Sequence, residues 1–583
     1  MKAPDRFCSL LFDEISLSGG FHYEKVKQYI SGYEDLGSLG RTNRAANHAL
    51  VFMVRGVRRQ WKQVIAYYFT SHIVSAENLR FLIIEIILQL QEVGLTVVAT
   101  VCDQGPTNGA AVNQLCGKNP YYFYVNKYRI VTIYDVPHLL KNTRNALLKC
   151  KIEFAPHKCA KFEHIKNAFN FDQRKTFKSL PKLREEHFNF ADSYVKMKVK
   201  VAAAQLSSSM ASAIETYTAL EVLEPEAIFT AEFVHKIDTL FDSLNSSSSQ
   251  VCDHKIFKSA LHKGSPHLTF WSELLEELGQ WKLIHLTKKT DVTNRYYFVD
   301  GWQTTIRSVI FLWNSLNSLD GFSYLNLRAF NQEPLENLFS SIRQHGAANT
   351  NPTCHQFTAA LKTVVVNKLV SPTNVDRNCE ADGCAPLDDL LSLLKTVDND
   401  SSKFSSIENR DDEDDEQSET LLNFNISELD DLPPEDVQGL AYVAGWVLKN
   451  INVPDCQKCH NILYSSEVTN RHLLTSFREV DCTQRLTYAS ELVMSLLKNI
   501  HDCLYEFLET SGFQRNLEDT FKNLFKQNVS YSEEHCTDHD SFNLILDRCT
   551  PFLIFKFCRD KHKRKRISDG HVKKMKKLKV SRV

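Results

Sequence analysis

The chain lacks any apolar run long enough to cross a bilayer, which excludes a membrane-spanning helix of ordinary length. Its longest apolar helical segment, FLIIEIILQLQ, carries Glu85 and is too short. The N-terminus has no secretory signal, because Lys2, Asp5 and Arg6 precede only a short apolar stretch. No GxxxxGK[ST] loop is present, so the residues alone predict no P-loop nucleotide site.

Cysteine and charge are plentiful, but both are distributed unevenly. Sixteen cysteines in 583 residues without a secretory signal favour reduced thiols over a disulfide framework. The formal net charge of −1 conceals an acidic block at 408–416 and twelve Lys and Arg residues in 559–583. These opposed blocks predict a solvated acidic linker and a basic tail of the nuclear-import or phosphate-binding type. Such a tail would also bind DNA non-specifically by releasing counterions.

The first 150 residues carry alternating strand and helix patterns. FCSLLF, HALVFMVRGV and QVIAYYFT predict three strands, and ENLRFLIIEIILQLQEVG predicts a helix that ends at Gly94. LTVVATVC and RIVTIYDVP predict two more strands, separated by a connecting segment. This order favours an α/β sheet whose strand ends form a crevice.

From about 150 to 325 the pattern becomes mostly helical. YVKMKVKVAAAQLSSSMASAIETY predicts one long helix, and FVHKIDTLFDSLNSSSS predicts a helix that ends in a serine-rich loop. NQEPLENLFSSIRQHG then predicts an amphipathic helix with Asn331 as its N-cap and Pro334 in its first turn. Residues 396–434 predict an unstructured acidic linker, and 435–557 predict a helical domain.

Three acidic residues lie in settings that suggest catalysis. Asp13 and Asp103 end strand-like runs, and Glu336 lies in the first turn of an amphipathic helix. Carboxylate oxygens suit Mg²⁺, and two ions about 3.5–4 Å apart can hold the attacking and leaving oxygens of a phosphoryl transfer. The pattern therefore predicts chemistry on a nucleic-acid backbone.

Each of these acids also has an ordinary structural explanation. Asp13 could cap a turn, and its neighbour Glu14 could be the ligand instead. Asp103 precedes a Gly-Pro turn and could cap the next helix. Glu336 could simply complement a helix dipole. The joint order of the three acids on an α/β pattern favours the catalytic interpretation.

Asp135 is a rival for the second catalytic position, because it also ends a predicted strand. It could instead cap the following helix or orient His138. Lys141 and Arg144 on that helix could contact DNA phosphates or form a solvated basic face.

Several segments resemble the P-element transposase family, which includes the THAP-domain transposases. They are VCDQGPTN, YDVPHLLKNTRN, KMKVKVAAAQLSSSMASAI, FDSLN, FNQEPLENLFSSIRQHG and YVAGWVLKN, in one order from about residue 7 to beyond 450. The resemblance implies an RNase H-like fold with a D-D-E triad, interrupted by a GTP-binding insertion domain. The triad, holding two Mg²⁺ ions, would consist of Asp13, Asp103 and Glu336.

The resemblance also implies nucleotide contacts in the insertion and beside the triad. These map onto Lys182, Lys198, Val199, Ser207, Asp242, Asn245 and Glu333. A lysine can meet a phosphate as a point charge, and an aspartate can accept the paired donors of a guanine edge. Glu333 stands where the family pattern favours Asp, and Asp242 and Asn245 could instead cap a helix end.

The resulting fold class is α/β: an RNase H-like catalytic core interrupted by a mostly helical insertion domain, plus a helical C-terminal domain. The expected domains are an RNase H-like first part at 1–149, a helical GTP-binding insertion at 150–325, an RNase H-like last part with the catalytic Glu helix at 326–395, an acidic disordered linker at 396–434, a helical C-terminal domain at 435–557 and a basic tail at 558–583.

A structural Zn²⁺ site is a further expectation in the C-terminal domain. Cys456 and Cys459 have CxxC spacing and His460 follows, with His472 or Cys482 to complete the set. Ordinary thiols between helices are the alternative.

The chain begins only twelve residues before Asp13, and no C2CH spacing or heptad run precedes the first strand. Family members usually carry a THAP zinc finger and a dimerisation segment there. The sequence is therefore expected to be a truncated form, or a relic with impaired DNA specificity and dimerisation.

The first functional hypothesis is a nuclear DNA transposase core that cuts and joins strands with Mg²⁺ and uses GTP as a cofactor. Its partners would be transposon-end and target DNA, GTP and further copies of itself on DNA, without a membrane. The second is a domesticated or truncated transposase-derived protein that binds DNA or chromatin without transposition activity. The third is an RNase H-like nuclease with a different substrate.

Overall fold

The computed structural model describes residues 3–59, 61–174, 179–190, 193–246, 255–345, 349, 351–366, 385–386, 429, 432–477, 486–528, 536 and 539–580. Within these ranges, no helix is long and apolar enough to span a bilayer.

A large mixed sheet forms the centre of the first part of the chain. Its elements are β1 (Phe7–Ser16), β2 (His22–Glu24), β3 (Tyr29–Ser31), β4 (Tyr33–Asp35), β5 (Arg41–Ala45), β6 (His48–Gly56), β7 (Trp61–Thr70), α1 (Ala76–Glu92), β8 (Thr96–Cys102), α2 (Pro106–Cys116), β9 (Tyr122–Val125), β10 (Tyr128–Tyr134) and α3 (Val136–Leu147). The strand order is β2-β3-β4-β7-β6-β1-β8-β10-β9. Strand β8 is parallel to both β1 and β10, whereas β6 is antiparallel to β1.

The sheet confirms the predicted α/β class and the five predicted strands, which are β1, β6, β7, β8 and β10. Helix α1 is also confirmed, and Gly94 just beyond it has a φ of 80°, which favours glycine. The short strands β2–β5 were not predicted, and the predicted connecting segment contains α2 and β9. Strands of three to five residues are too short to show a clear periodic pattern.

The next segment is mostly helical but contains small sheets. Its elements are β11 (Cys150–Ala155), β12 (Lys158–Ala160), α4 (Phe162–Gln173), α5 (Ser193–Met197), α6 (Val199–Gln205), α7 (Ser208–Ala219), α8 (Ala227–Leu244), β13 (Leu261–His262), α9 (His267–Leu278), β14 (Lys282–His285), α10 (Phe298–Leu316) and β15 (Tyr324–Leu325). Strands β12, β11 and β14 form one sheet, and β13 pairs with β15.

The single long helix predicted at 194–217 is wrong, because the structure divides it into three. Lys198 adopts an extended conformation between α5 and α6. Ser207 is extended as well, and its side chain caps α7 by accepting from the Met210 amide at 3.3 Å. A serine at an N-cap accepts a hydrogen bond from one of the first amides of the new helix. This bond stabilises a new helix start and so favours a break over one continuous helix.

The chain then returns to the large sheet. The returning elements are α11 (Glu333–Gln344), α12 (Cys354–Val366) and the short β16 (Ala385–Pro386), which pairs with β7. Helix α11 confirms the predicted amphipathic helix, but its N-cap is Gln332 rather than Asn331. The Asn331 side chain instead donates to Asn245 and accepts from Arg55.

The C-terminal helices build a second hydrophobic core. They are α13 (Pro434–Lys449), α14 (Gln457–Leu463), α15 (Leu473–Phe477), α16 (Glu491–Ser511), α17 (Leu517–Asn528) and α18 (Ser541–Val580). Helix α18 continues through the predicted basic tail, whereas the acidic linker predicted at 396–434 lies mostly outside the described residues.

Part of the large sheet belongs to this second core. Tyr23, Ile30 and Tyr33 of β2–β4 are buried in the same hydrophobic cluster as the helices α13, α16 and α18. The Leu517 amide donates to the Gln28 carbonyl at 2.9 Å, and the Tyr23 hydroxyl donates to Glu518. The C-terminal helices therefore pack directly on the outer strands of the large sheet.

Candidate active site

The sheet register brings three aspartates to one level at the carboxyl ends of its parallel strands. Leu11 pairs with Val101, two residues before Asp13 and Asp103 respectively. Cys102 pairs with Tyr134, one residue before Asp103 and Asp135 respectively. Side chains at matched positions of neighbouring strands share a face, so the three carboxylates project toward one region.

Asp13 carries the clearest electrostatic signature. Burial, together with the negative charges of Asp103 and Glu336, raises the pKa of its carboxyl to about 7, while His138 and the Glu14 amide act in the opposite direction. The Glu14 amide donates to Asp13 Oδ1 at 2.8 Å. Because Glu14 lies on the opposite face of β1, this arrangement favours Asp13 over Glu14 as the ligand.

Asp103 stabilises the turn between its strand and α2. Its Oδ1 accepts from the Gly105 amide at 2.9 Å and from Asn108 Nδ2 at 2.6 Å. A Cβ at residue 105 would lie 3.1 Å from Asp103 Oδ1, so glycine leaves the carboxylate its space. The N-cap of α2 is Gly105, so the capping role expected for Asp103 is wrong, and its two hydrogen bonds hold the turn and fix the carboxylate instead.

Asp135 is committed to internal hydrogen bonds. Its carboxylate accepts from the His138 amide at 3.0 Å, from His138 Nδ1 at 2.6 Å and from the Gln332 amide at 2.7 Å. Burial alone would raise its pKa, but the hydrogen bonds and charge of His138 outweigh burial and lower it. Asp135 therefore caps α3 and orients His138, the two structural roles that the sequence suggested.

His138 connects this aspartate to the third acid of the proposed triad. Its Nε2 lies 3.8 Å from Glu336 Oε1, on the side of the ring opposite Asp135. Burial alone would lower the pKa of His138, but Asp135 raises it to about 9. A protonated His138 therefore lies between Asp135 and Glu336 at neutral pH.

Gln332 is a site residue that sequence reasoning missed. Its amide donates to Asp135, and its Nε2 donates to the Phe12 carbonyl at 2.7 Å, next to Asp13. Gln332 thereby fixes the start of α11, and with it Glu336, against β1. In the sequence, Gln332 is only a glutamine directly before Glu333-Pro334, and it looks like an ordinary polar residue at a helix start.

Asp13, Asp103 and Glu336 are neighbours, but their carboxylate oxygens do not converge on a single position. Two groups of three or more metal-ligating side chains in the described residues have their ligand atoms within 4.8 Å of one another, and this triad is not one of them. A two-ion site does not require such closeness. With ions about 3.5–4 Å apart and oxygen ligands at about 2.1 Å, carboxylates on opposite ions lie up to about 8 Å apart.

The donor chemistry fits divalent cations with a preference for oxygen. All three predicted ligands are carboxylates, which suit Mg²⁺. The raised pKa of Asp13 shows that burial and its acidic neighbours disfavour its negative charge, and a bound cation would relieve this repulsion.

The predicted nucleotide contacts lie mainly at helix ends of the insertion. Asp242, near the end of α8, pairs with Lys255 at 2.6 Å, and Asp238 pairs with the same lysine at 2.8 Å. Asn245 ends α8 and accepts from Asn331 at 3.0 Å, directly before Gln332 and α11. The end of α8 therefore contacts the segment that leads into α11.

The remaining predicted contacts occupy the start of α6, the cap of α7 and the start of α11. Lys198 and Val199 begin α6, and Ser207 caps α7. Glu333 is buried and accepts from Arg328 at 2.7 Å, while Lys182 is exposed. Nucleotide binding by these seven residues stays a prediction.

A separate cleft of about 520 Å³ lies where α3 meets the insertion. It combines basic and aromatic side chains, namely Lys149, Lys196, Arg295, Phe190, Tyr296 and Tyr297, with Asn142 and Asn145. Its size suits a mononucleotide, yet none of the predicted nucleotide contacts lines it.

Arg144 is neither a DNA contact nor part of a solvated basic face. It is completely buried, donates to Gln205 Oε1 at 2.6 Å and reaches the carbonyls of Val195 and Lys196. This arginine ties α3 to α5 and α6 of the insertion. Lys141 lies closer to the acids, and burial lowers its pKa despite their negative charges.

The predicted completion of the CxxC pair is wrong in one respect. The His472 ring bonds the Ala489 carbonyl at 2.9 Å and the Thr469 hydroxyl at 3.0 Å instead. His460 stacks on Tyr464, and Cys482 lies outside the described residues.

The fold and these acids define an RNase H-like protein with an insertion, and family models agree. Three models match: the TNP-like RNase H N-terminal domain at 1–116, the TNP-like GTP-binding insertion domain at 137–258 and the TNP-like RNase H C-terminal domain at 329–362. The predicted RNase H-like core interrupted by an insertion is confirmed.

The chain is similar to a P-element transposase. It is 25% identical over 478 residues to the "Transposable element P transposase" of Drosophila melanogaster, which covers 81% of this chain. The chain spans 59% of the length of that relative. A solved structure, "Drosophila P element transposase strand transfer complex", shares the fold with a TM-score of 0.53 and 23% identity, covering 65% of this chain and 80% of that one.

Proposed function

We propose that this chain forms the catalytic core of a DNA transposase, which cleaves and joins DNA strands with Mg²⁺. The carrying observation is the convergence of Asp13 and Asp103 at the carboxyl ends of adjacent parallel strands, with Glu336 of α11 near enough for its charge to act on Asp13. Similarity to P-element transposase and to the three TNP-like domains supports the same activity.

Asp13, Asp103 and Glu336 would hold two Mg²⁺ ions. Bound there, the ions would neutralise charge at the scissile phosphate and orient the attacking water or 3′-hydroxyl and the leaving oxygen. The chain's own contribution is positioning. The hydrogen bonds of Asp103 to its turn and the Gln332 bridge fix two of the acids, and protonated His138 holds Glu336 while compensating part of the acidic charge.

GTP would bind to the insertion, for which the match to a GTP-binding insertion domain gives support. The contact between Asn245 and Asn331 would connect that domain to the catalytic helix, so a bound nucleotide could stabilise the position of Glu336. The basic segment at 559–583 favours a nuclear location, and assembly into oligomers on DNA belongs to the same proposal.

The decisive experiment separates the charge of Asp103 from its hydrogen bonds to the turn before α2. Asp103→Asn retains an oxygen that can accept from Gly105, whereas Asp103→Ala removes both the charge and the hydrogen bonds. We expect cleavage of labelled transposon-end DNA to fall at least about 100-fold in both variants. The free energy of unfolding should fall only for Asp103→Ala, by roughly 1 kcal/mol for the lost hydrogen bonds.

Glu14→Gln serves as the matched control, since it removes the neighbouring acid on the other face of β1 and should retain cleavage. If Asp103→Asn cleaves DNA at the wild-type rate, Asp103 is not a catalytic residue. DNA binding without Mg²⁺-dependent cleavage by the wild-type chain would favour the transposase-derived binding protein.

A further inference from the structure

Four potential metal ligands meet at one point of the C-terminal domain, outside the three matched family domains. Cys456 and Cys459 lie at the start of α14. Cys536 and His539 lie five and two residues before Ser541, the first residue of α18. Their four ligand atoms all lie within 4.8 Å of one another.

The separations agree with a tetrahedral zinc site. Zn–S bonds of about 2.3 Å and Zn–N bonds of about 2.05 Å place two sulphurs about 3.8 Å apart, and a sulphur about 3.6 Å from a ring nitrogen. The Sγ atoms of Cys456 and Cys536 are 3.9 Å apart. His539 Nδ1 lies 3.7 Å from Cys459 Sγ and 3.6 Å from Cys536 Sγ.

We propose that Cys456, Cys459, Cys536 and His539 bind one structural Zn²⁺ ion. Three thiolates and an imidazole fill all four tetrahedral positions, which is typical of a structural rather than a catalytic site. The Ser541 hydroxyl donates to Cys459 Sγ at 3.4 Å, a hydrogen bond from outside the ligand set that orients the thiolate. This inference is independent of the proposed transposase activity.

The ion would fasten two elements that are distant in sequence. Cys456 and Cys536 are 80 residues apart, and the intervening chain contains α15, α16 and α17. Zinc would hold α14 against the start of α18, the helix that runs along α16 in the second core. Removing the ion should therefore loosen the C-terminal domain before the catalytic sheet.

The burial and position of the ligands support a specific site over chance proximity. Cys459 and Cys536 are buried, whereas Cys456 and His539 lie nearer the surface. A disulfide between Cys456 and Cys536 is the chemical alternative, since closing their sulphurs to about 2.05 Å would need only a small movement. Such a bond would consume two of the four ligands and abolish metal binding.

Metal analysis of the full chain, purified under reducing conditions without added metal, tests the proposal. We expect inductively coupled plasma mass spectrometry to find about one equivalent of zinc per chain. Replacement by Co²⁺ should give the visible absorption bands of a tetrahedral thiolate site. Alkylation of Cys456 and Cys536 in the wild-type chain should be slow, and should become at least about 10-fold faster after chelation.

Variants distinguish this ligand set from the one that the CxxC-His sequence suggested. Cys536→Ser and His539→Ala should lose zinc, and His460→Ala should keep it, because the His460 ring stacks on Tyr464. Absence of zinc together with no thiolate–Co²⁺ spectrum in the wild-type chain would overturn the proposal. Equal zinc content in His539→Ala and wild type would also overturn the proposal. A Cys456–Cys536 disulfide that persists in the presence of the reductant would have the same consequence. Because the Co²⁺ spectrum and alkylation use the wild-type chain, the test survives misfolding of a variant.

Discussion

At the scale of single residues, the active-site region is organised by charge. Asp13 is made hard to ionise, Asp135 is satisfied by hydrogen bonds, and His138 is held as a cation between Asp135 and Glu336. The strand-end aspartates could be recognised from the sequence, because apolar strand-like runs end at them. The cap of α3 and the support of His138 were also predicted for Asp135, whereas its contact with the Gln332 amide depends on the fold and could not be predicted.

The His138 charge predicts a specific pH dependence of stability. Its folded-state pKa of about 9 lies above the ordinary value of 6.5, so its stabilising effect is complete below about pH 6.5 and is lost as pH rises through about 9. We expect His138→Gln to remove roughly 1–3 kcal/mol of stability at pH 6 and much less at pH 10.

Thermal unfolding midpoints of wild type and variant between pH 6 and pH 10 would measure this difference. His262→Gln, which changes an exposed histidine, is the control. The difference between its unfolding midpoint and that of the wild type should be small throughout this pH range. A difference between wild type and His138→Gln that does not shrink with rising pH would contradict the assignment.

At the scale of elements, long periodic segments were predictable and interruptions were not. The apolar runs of β6, β8 and α1 gave their elements correctly. The helical pattern at 194–217 hid two breaks, at Lys198 and Ser207, because serine and lysine are both compatible with a helix. Those breaks create extra helix starts in the insertion, where the predicted nucleotide contacts lie.

The end of α8 offers a direct test of the nucleotide site. If Asp242 reads a guanine edge, Asp242→Ala should weaken binding of a fluorescent GTP analogue at least about 10-fold. Asp238→Ala is the matched control, because it removes the other partner of Lys255 and should leave binding nearly unchanged.

Arg295→Ala probes the competing cleft beside α3. Loss of GTP binding in Arg295→Ala, with normal binding in Asp242→Ala, would move the nucleotide to that cleft. Titrations at fixed Mg²⁺ and ionic strength would provide the affinities.

At the scale of the whole molecule, the sheet and the C-terminal helices share a core. This shared core could not be predicted from the sequence, because β2–β4 are three-residue strands whose apolar side chains, such as Tyr23 and Ile30, resemble ordinary loop residues. Only the docking of α17 and α18 explains why these side chains are buried.

Tyr23→Phe should weaken this interface. The substitution removes the hydrogen bond to the buried Glu518 and leaves that carboxylate with Lys522, 3.6 Å away, as a remaining partner. We expect a loss of about 1–3 kcal/mol in the stability of the C-terminal domain.

Hydrogen exchange of the α17 amides, together with denaturant unfolding, would report this loss. Tyr128→Phe, at an exposed position elsewhere on the sheet, should change neither quantity. Unaltered exchange in α17 for Tyr23→Phe would mean that the hydroxyl contributes nothing to the contact.

The interface of β2–β4 with the C-terminal helices also bears on how the chain could be rebuilt. Buried Tyr23, Ile30 and Tyr33 already join the two halves non-covalently, which favours their association without the peptide connection through 387–428. Two separately made polypeptides, cut within that stretch, should then reassociate into one folded unit. Evolution or an engineer could accordingly lengthen, shorten or exchange the connector and leave the fold around the proposed active site undisturbed.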